Sequence, residues 1–293
     1  MTFSWVFAGA KAQGLGILDA AQRSGFVPSR IAVPKGLPDD DRSRLEAWAR
    51  AADAEIIAPG ALTSEHVADV DLLLVCRFEL LGAPVFEAPR WGTLNVHSSL
   101  LPAYRGVHPV SWALVDGAEV TGVTVHRVDA GIDTGAIVAQ RSLAIHDDHD
   151  FHSLTADLDA VSAALVTEQL VRIDAVRRIP TGRPQVGAGS YARRRGPEDG
   201  RIDWSLTAQD VRNLTRALPA PLPAAFTFES SGRRVELRSA RVVDVAPWAT
   251  PGTVLSRGRR TIVVQCGEGA VELTVVGVPP RPGARLGEQA RAA

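Results

Sequence analysis

Three polar side chains in the middle of the chain, Asn95, His97 and Asp133, are of types that could carry chemistry. Asn95 and His97 are two residues apart, in and directly after residues 92–96, a run that predicts a β-strand. Because alternate residues of a strand point to the same face, these two side chains are expected to project together. Asp133 lies in a glycine-bounded loop, which can fold tightly enough to bring its carboxylate over a neighbouring strand end.

An amide, an imidazole and a carboxylate without a nucleophile suit direct transfer of an acyl group to an incoming amine. Ser98 and Ser99 are near, but neither stands in a G-x-S-x-G turn. One histidine and one aspartate are too few ligands for a metal site, so no metal is expected. Asn95 and His97 could hold the developing oxyanion. Asp133 could accept the amine proton, directly or through water, and fix the tautomer of His97.

The elements that must position these residues alternate between strand and helix. Short runs predict five strands, at residues 4–8, 31–33, 55–57, 71–75 and 92–96. Helical patterns between them predict an open, mostly parallel Rossmann-like α/β sheet with right-handed crossovers. Later patterns predict two more strands and a long helix, at residues 120–125, 137–144 and 151–172. Open sheets of this class hold their chemistry outside the carboxyl ends of the strands, where the three polar side chains are expected to meet.

The glycines after the first predicted strand have the outline of a phosphate-binding turn. They lie at Gly9, Gly14 and Gly16, before a helical pattern over residues 17–23. The spacing is not G-x-G-x-x-G, and no P-loop Lys-Ser/Thr follows. Tight packing at the turn is therefore the favoured interpretation.

The second part of the chain predicts a separate β-rich domain. Residues 181–203 are rich in Gly, Pro and Arg and have no periodicity, which indicates an interdomain linker. Short β-like runs with glycine turns follow and favour a small β-barrel of the OB type. The predicted organisation is a catalytic domain at residues 1–183, a linker at 184–203 and a β-barrel domain at 204–293.

The formal net charge of -1 hides an asymmetry between the two parts of the chain. Residues 1–183 hold 16 Lys and Arg against 23 Asp and Glu, whereas residues 184–293 hold 16 against 10. The basic part could meet an anionic partner, and the simpler interpretation is an arginine-rich surface. Cys76 and Cys266 are too few for a disulfide framework. No apolar run approaches a membrane span and the N-terminus lacks the positive region of a signal peptide, so a cytoplasmic protein without membrane attachment is expected.

Residues 95–102, Arg105 with Gly106, and residues 129–135 together resemble the signature of the folate-dependent formyltransferases. The resemblance implies that a formyl group passes from 10-formyltetrahydrofolate, a co-substrate, to a primary amine. It implies that the three polar side chains introduced above are the catalytic residues. Residues 197–204 and 223–227 look like the linker and C-terminal domain of methionyl-tRNA formyltransferase and its small-molecule relatives, so the resemblance covers almost the whole chain. The length rules out the single-domain glycinamide-ribotide branch.

The same resemblance implies two segments that bind the folate. One follows the fourth strand and binds the pterin ring, and the other is the adjoining loop after the fifth strand. The matching residues are Phe78, Glu79, Leu80 and Leu81 in the first and Ser99, Leu100, Leu101 and Pro102 in the second. Arg105 and His108 could line the pocket of the amine acceptor, and capping or loop packing is an equally open interpretation for each.

The acceptor amine is predicted from a loop near the second strand. The tRNA enzymes of the family carry a basic, glycine-rich insertion there, whereas residues 34–41 are short and acidic. Recognition of a phosphate backbone needs several Lys or Arg contacts, so a small-molecule amine is predicted, an amino sugar nucleotide or an amino-acid derivative. The basic second part keeps tRNA open as a partner. Alternatives are a non-catalytic folate-binding homologue, which would not need all three polar residues, and hydrolysis of the formyl donor, which the β-rich tail disfavours. A homo-oligomer is left open.

Overall fold

The computed structural model describes residues 2–245 and 249–287. The chain divides into two compact units. The first comprises Met1–Pro109, Val120–Ala144 and Thr155–Ala192, and the second comprises Val110–Glu119, Ile145–Leu154 and Arg193–Ala293. The predicted linker is divided between them, since residues 184–192 belong to the first unit and residues 193–203 to the second. The predicted domain boundaries stay predictions, and residues 246–248 and 288–293 of the last domain lie outside the described residues.

The first unit is built on a seven-stranded sheet. The strands of the unit, seven in this sheet and two in a separate pair, are labelled in chain order β1 Trp5–Gly9, β2 Arg30–Ala32, β3 Glu55–Ile57, β4 Leu72–Cys76, β5 Thr93–His97, β6 Arg105–Gly106, β7 Val120–Arg127, β8 Ile137–Ala144 and β9 Tyr191–Ala192. The sheet order is β3-β2-β1-β4-β5-β7-β8, and β6 pairs with β9 separately. Strands β1 to β5 are parallel, and β7 and β8 are antiparallel. The predicted mostly parallel, Rossmann-like α/β sheet is confirmed.

The central strands are buried because their sequences are apolar throughout. Strands β1 and β4 are buried at every position. Continuous apolar runs are what a parallel sheet covered on both faces requires. Strand β5 differs, because Asn95 is polar and half-buried near its middle and His97 ends it at the carboxyl edge. That edge of the sheet is therefore the place where polar side chains can gather.

Helices connect the strands. They are α1 Lys11–Arg23, α2 Asp39–Ala51, α3 Ala83–Phe86, α4 Pro109–Val115 and α5 Phe151–Val176. Helix α1 begins six residues before its predicted start at residue 17 and includes Gly14. A Cβ at Gly14 would lie 3.3 Å from the Phe7 ring, so the glycine lets α1 pack directly on β1, in line with the packing interpretation. Within residues 2–245 and 249–287, no helix combines the length and apolar character needed to cross a membrane.

The second unit contains an antiparallel sheet and one further helix, α6. The elements are α6 Ala208–Arg216, β10 Ala225–Phe228, β11 Arg234–Val243, β12 Val254–Arg257, β13 Thr261–Gln265 and β14 Ala270–Val276. The sheet order is β10-β11-β14-β13-β12. Thr207 caps α6 by accepting a hydrogen bond from the Asp210 amide, and Val211 of α6 is buried in one apolar cluster with Leu237 and Leu273 of the sheet. The β-rich second part is confirmed, and closure into an OB-like barrel stays a prediction.

Candidate active site

Asn95, His97 and Asp133 meet at the carboxyl end of β5. Asn95 Nδ2 lies 3.2 Å from Asp133 Oδ1, within hydrogen-bonding distance. His97 Nδ1 faces Asp133 Oδ2 at 3.5 Å, which is too long for a direct hydrogen bond. The Asp133 side chain is only 13% exposed, so these contacts form in largely dehydrated surroundings. The structure brings together the three residues that the sequence singles out, and their catalytic roles stay predictions.

A backbone carbonyl group fixes the orientation and tautomer of His97. Nε2 lies 2.8 Å from the carbonyl oxygen of Tyr104, which can only accept a hydrogen bond. Nε2 therefore carries the proton of the neutral ring, and the lone pair of Nδ1 faces Asp133. Burial lowers the pKa of His97 below its usual 6.5, against the raising effects of Asp133 and the Tyr104 carbonyl. The Tyr104 carbonyl therefore contributes to selecting this tautomer, and the role predicted for Asp133 in fixing it stays a prediction.

Asp133 is held as an anion on a strained backbone. Its φ is 53°, in the left-handed region that residues other than glycine seldom adopt. Oδ2 accepts a hydrogen bond from the Gly106 amide at 2.8 Å, and Oδ1 lies 3.4 Å from His126 Nε2. Burial would raise the pKa of Asp133, but its neighbours His126 and His97 and the hydrogen bond from the Gly106 amide together lower it to about 2. The carboxylate is therefore a weak base at neutral pH.

His126 is a further polar member of the cluster, and sequence reasoning missed it. It is buried on β7, directly opposite Asn95 in the antiparallel pairing of β5 with β7. Its Nδ1 donates to the Arg127 carbonyl oxygen at 2.8 Å, so Nε2 is the acceptor for Asn95 Nδ2 at 3.1 Å. Both hydrogens of the Asn95 amide are thereby engaged, one by His126 and one by Asp133. The available signal was a histidine directly after the strand predicted over residues 120–125, and only the strand register makes it a site residue.

Comparison with known proteins identifies the family. The profile of the formyl transferase family matches residues 43–170, and that of the formyl transferase C-terminal domain matches residues 195–281. The methionyl-tRNA formyltransferase of Geobacter metallireducens is 33% identical over 220 residues, 75% of this chain and 69% of that protein. The methionyl-tRNA formyltransferase of Roseobacter denitrificans is 33% identical over 283 residues, 92% of this chain and 90% of that protein. The chain belongs to the formyltransferase family. The family that the sequence motifs resemble is thus confirmed.

A solved formyltransferase structure shares the fold. The N-formyltransferase from Helicobacter canadensis, in complex with folinic acid and dTDP-3-aminofucose, superposes with a TM-score of 0.70 at 17% identity. The match covers 94% of this chain and 100% of that chain. At this identity the likeness extends to the fold alone.

In the loop after β4, one of the residues predicted to bind folate is exposed and two others pack into the core. Leu80 is 80% exposed. Phe78 and Leu81 pack against an apolar cluster to which β1 and β4 contribute, and Glu79 accepts a hydrogen bond from the Lys35 amide at 3.3 Å. The loop thus offers an exposed apolar side chain at the carboxyl edge of the sheet that carries Asn95. Folate binding by all four residues stays a prediction.

The second predicted folate segment is partly internal. Ser99 is buried, and its hydroxyl group donates to the Ala103 carbonyl oxygen at 2.6 Å. Leu101 is also buried, whereas Leu100 and Pro102 are half-buried. The side chains of Ser99 and Leu101 therefore shape the loop, and those of Leu100 and Pro102 keep some exposed surface. Their contact with folate stays a prediction.

The two residues predicted to line the acceptor pocket lie in different surroundings. Arg105 is buried, and its Nε and Nη2 donate to Gln185 Oε1 at 3.0 and 2.7 Å. Its Nη1 donates to the Ala188 carbonyl oxygen at 3.3 Å. This geometry supports loop packing, the alternative interpretation, for Arg105. His108 is exposed with a φ of 60°, and for both residues contact with an acceptor stays a prediction.

A buried polar network behind β5 also escaped sequence reasoning. Gln13 is fully buried, and its Nε2 donates to the hydroxyl groups of Ser98 and Ser162 at 3.2 and 2.7 Å. Its Oε1 accepts from Arg77 Nε at 2.6 Å. The network ties α1 and α5 to the residue after His97 and to the residue before the first predicted folate segment. Its members are far apart in sequence, so no local pattern could reveal it.

Proposed function

We propose that this formyltransferase moves the formyl group of 10-formyltetrahydrofolate to the primary amine of a small molecule by direct attack of that amine. The convergence of Asn95, His97 and Asp133 without an activated nucleophile carries the proposal. The two neighbouring hydroxyl groups are already engaged, since Ser98 accepts from Gln13 and Ser99 donates to a backbone carbonyl group. Neither serine is paired with a base, as covalent acyl transfer would require.

His97 is the proton acceptor in this proposal, a different assignment from the one that the sequence suggests. Its Nδ1 lone pair faces Asp133, and burial keeps the ring neutral at neutral pH. Asp133, with a pKa of about 2, is too weak a base to take the amine proton itself. The carboxylate instead stabilises the imidazolium that forms when Nδ1 gains a proton.

Asn95 is the donor for the developing oxyanion. A preorganised amide N–H at such a position contributes strongly to catalysis, because it acts where water is excluded. In the free protein both Asn95 hydrogens are engaged by Asp133 and His126. One of these bonds must be exchanged as negative charge develops on the formyl oxygen.

The residues at the carboxyl edge of the sheet suit a folate. Leu80 offers a largely exposed apolar surface in a loop whose neighbours Phe78 and Leu81 are anchored in the core. A heterocyclic ring needs an apolar wall, and this loop supplies one. When bound, 10-formyltetrahydrofolate supplies the one-carbon group. The chain's own residues orient the amine, take its proton and hold the oxyanion.

The acidic start of α2 supports a small acceptor. Asp39, Asp40 and Asp41 occupy the first turn of that helix, directly after the loop that is basic in the tRNA enzymes. Three adjacent carboxylates repel a phosphate backbone. An amino sugar nucleotide or an amino-acid derivative would bind in a pocket and would not need to contact this acidic surface.

Methionyl-tRNA is the second candidate acceptor. The relatives from Geobacter metallireducens and Roseobacter denitrificans are methionyl-tRNA formyltransferases, and the second part of this chain carries an excess of arginine. These observations favour tRNA, whereas the acidic α2 favours a small amine. The acceptor is therefore the variable that the first experiment must address.

The test is formyl transfer from 10-formyltetrahydrofolate to a panel of acceptors. The panel holds amino sugar nucleotides, amino-acid derivatives and charged initiator tRNA, and mass spectrometry detects the formylated product. We expect transfer to a small amine, and a drop in kcat of about 100- to 1000-fold in Asn95→Ala through loss of the oxyanion donor. His97→Asn should also be nearly inactive. The matched control is His66→Asn, at a histidine whose ring bonds to Thr63, and it should keep wild-type turnover.

Each other outcome has a defined meaning. Transfer to tRNA and to none of the small amines would show that the acceptor proposal is wrong. Release of formate without any acceptor would indicate a hydrolase. If Asn95→Ala and His97→Asn turn over like the wild-type protein, the proposed chemistry is wrong and a non-catalytic folate-binding role gains support.

A further inference from the structure

The segment over residues 183–192, here called the strap, lies on the first unit although its composition indicates a linker. Its first residue forms two backbone hydrogen bonds with Ile137, at 2.8 and 2.9 Å. Its last two residues form β9, which pairs with β6. Between these anchors the strap contacts both segments that complete the candidate active site. One segment holds Tyr104 and continues into Gly106 of β6, and the other is the loop that holds Asp133.

Gln185 joins the strap to the Asp133 loop through Nε2 and to Arg105 through Oε1. Its Nε2 donates to the carbonyl oxygens of Asp133 and Gly135 at 2.7 and 2.9 Å. Its Oε1 accepts from Nε and Nη2 of Arg105 at 3.0 and 2.7 Å. Arg105 immediately precedes Gly106, whose amide donates to the Asp133 carboxylate. One glutamine side chain therefore links the backbone of Asp133 to the strand that holds its carboxylate.

Ser190 joins the strap to the loop that orients His97. Its hydroxyl oxygen accepts from the Tyr104 amide at 2.8 Å, and its own amide donates to the Pro102 carbonyl oxygen at 3.1 Å. The Tyr104 carbonyl oxygen is the acceptor for His97 Nε2. The strap can approach this closely because Gly189 has no side chain, since a Cβ there would lie 2.4 Å from the Pro102 carbonyl oxygen.

The backbone conformations at these contacts explain why external support is needed. Tyr104 has a φ of 56° and Asp133 a φ of 53°, both in the left-handed region. Such conformations persist in residues other than glycine only when the surrounding structure over-determines them. The strap supplies hydrogen bonds to the backbone of both residues.

We propose that the strap positions the catalytic residues, with Gln185 holding Asp133 and Ser190 holding the Tyr104 carbonyl that orients His97. This inference rests on the proposed function for its catalytic consequence. Gln185 bonds to Arg105 and to backbone carbonyl oxygens of the Asp133 loop, so it acts through other residues as a positioning residue. It acts by keeping the Asp133 carboxylate at its distance from His97 Nδ1.

The first test compares Gln185→Met with Gln185→Glu. Methionine has a similar length and makes none of the four hydrogen bonds, whereas glutamate still accepts from Arg105 and cannot donate to the Asp133 loop. We expect kcat to fall about 10- to 100-fold in both, as a misplacement of about 1 Å does, with KM for the formyl donor almost unchanged. Gln22→Met, on the exposed last turn of α1, is the matched control and should keep wild-type kcat. Wild-type kcat in Gln185→Glu would overturn the proposal even if Gln185→Met failed to fold.

The second test does not depend on activity. The charged and titratable groups that face His97 are Asp133, His126 and Arg77. Asp133 raises the pKa of His97, so its displacement in Gln185→Met should move the NMR titration of the His97 ring to lower pH. A fall in kcat with an unchanged titration would overturn the proposal, because the loss would then not pass through Asp133. If the protein formylated none of the acceptors, the proposed function would fail, and this titration would still decide the role of the strap.

Discussion

Asp133→Asn gives the sharpest test of the electrostatics of the site. The pKa of Asp133 is about 2 against a usual 3.8. Ionisation of this carboxyl group is therefore more favourable in the folded protein than in the unfolded chain by about 2 kcal/mol. Because the folded pKa is the lower one, this stabilisation is complete above about pH 4 and disappears as the pH falls towards 2. Asparagine carries no such dependence. The difference in free energy of unfolding between wild type and Asp133→Asn should therefore fall by roughly 1 kcal/mol between about pH 5 and about pH 3.

The assay is urea unfolding of wild type and variant at both pH values, followed by circular dichroism. Other titrating groups largely cancel in the comparison, so the difference between the two proteins isolates Asp133. Asp69→Asn is the matched control. Asp69 pairs with Arg30 at 2.7 Å, but its side chain is 59% exposed, and screening limits such a pair to below about 1 kcal/mol. If wild type and Asp133→Asn differ in free energy of unfolding by the same amount at both pH values, the inferred stabilisation of the Asp133 anion is wrong.

Two further variants probe the groups around Asp133. His126→Leu removes the acceptor for one Asn95 hydrogen, so kcat should fall about 10- to 100-fold through loss of orientation, while His66→Leu should leave kcat unchanged. Gly106→Ala should destabilise the protein by more than the roughly 1–2 kcal/mol of left-handed strain, because the new Cβ would lie 2.7 Å from the Ala192 carbonyl oxygen. It should also lower kcat by about 10-fold or more, since the Gly106 amide holds Asp133. Gly25→Ala, at a φ of 85° with open space around it, should show the strain alone, and equal stability losses for the two glycine variants would contradict the argument.

The sheet was predictable because each of these strands can be recognised from its own short stretch of sequence. Strands β1 and β4 are short apolar runs, and β5 is an alternating run that ends in Asn95 and His97. The two-residue spacing then fixes which side chains share a face. Asp133 could be added because glycines bound its loop. These inferences need only neighbouring residues, which is why they are reliable from sequence.

The parts that were missed depend on contacts between distant residues. His126 joins the site through the register of β5 with β7, and nothing near it in sequence indicates that pairing. Residues 183–192 have the composition of a linker, yet Gln185 bonds to residues 50 and more positions away. Arg105 was left open between the acceptor pocket and loop packing, and its donors point to the chain's own carbonyl and amide oxygens. Composition describes flexibility, and it cannot show where a flexible-looking segment is tied down.

The pKa values of His97 and Asp133 are both lowered, but for different reasons. The two residues therefore have different charges at neutral pH and different roles in the proposed reaction. Burial favours the neutral imidazole, whereas the partners of Asp133 favour its anion. At neutral pH a neutral base therefore lies beside a fixed negative charge. A proton that arrives on His97 Nδ1 creates a cation 3.5 Å from the carboxylate, an attraction on the order of 4 kcal/mol at an effective dielectric constant of about 20. Asp133 can thus lower the barrier without taking the proton, which is why variants of Asp133 and of Gln185 should both reduce kcat rather than raise KM.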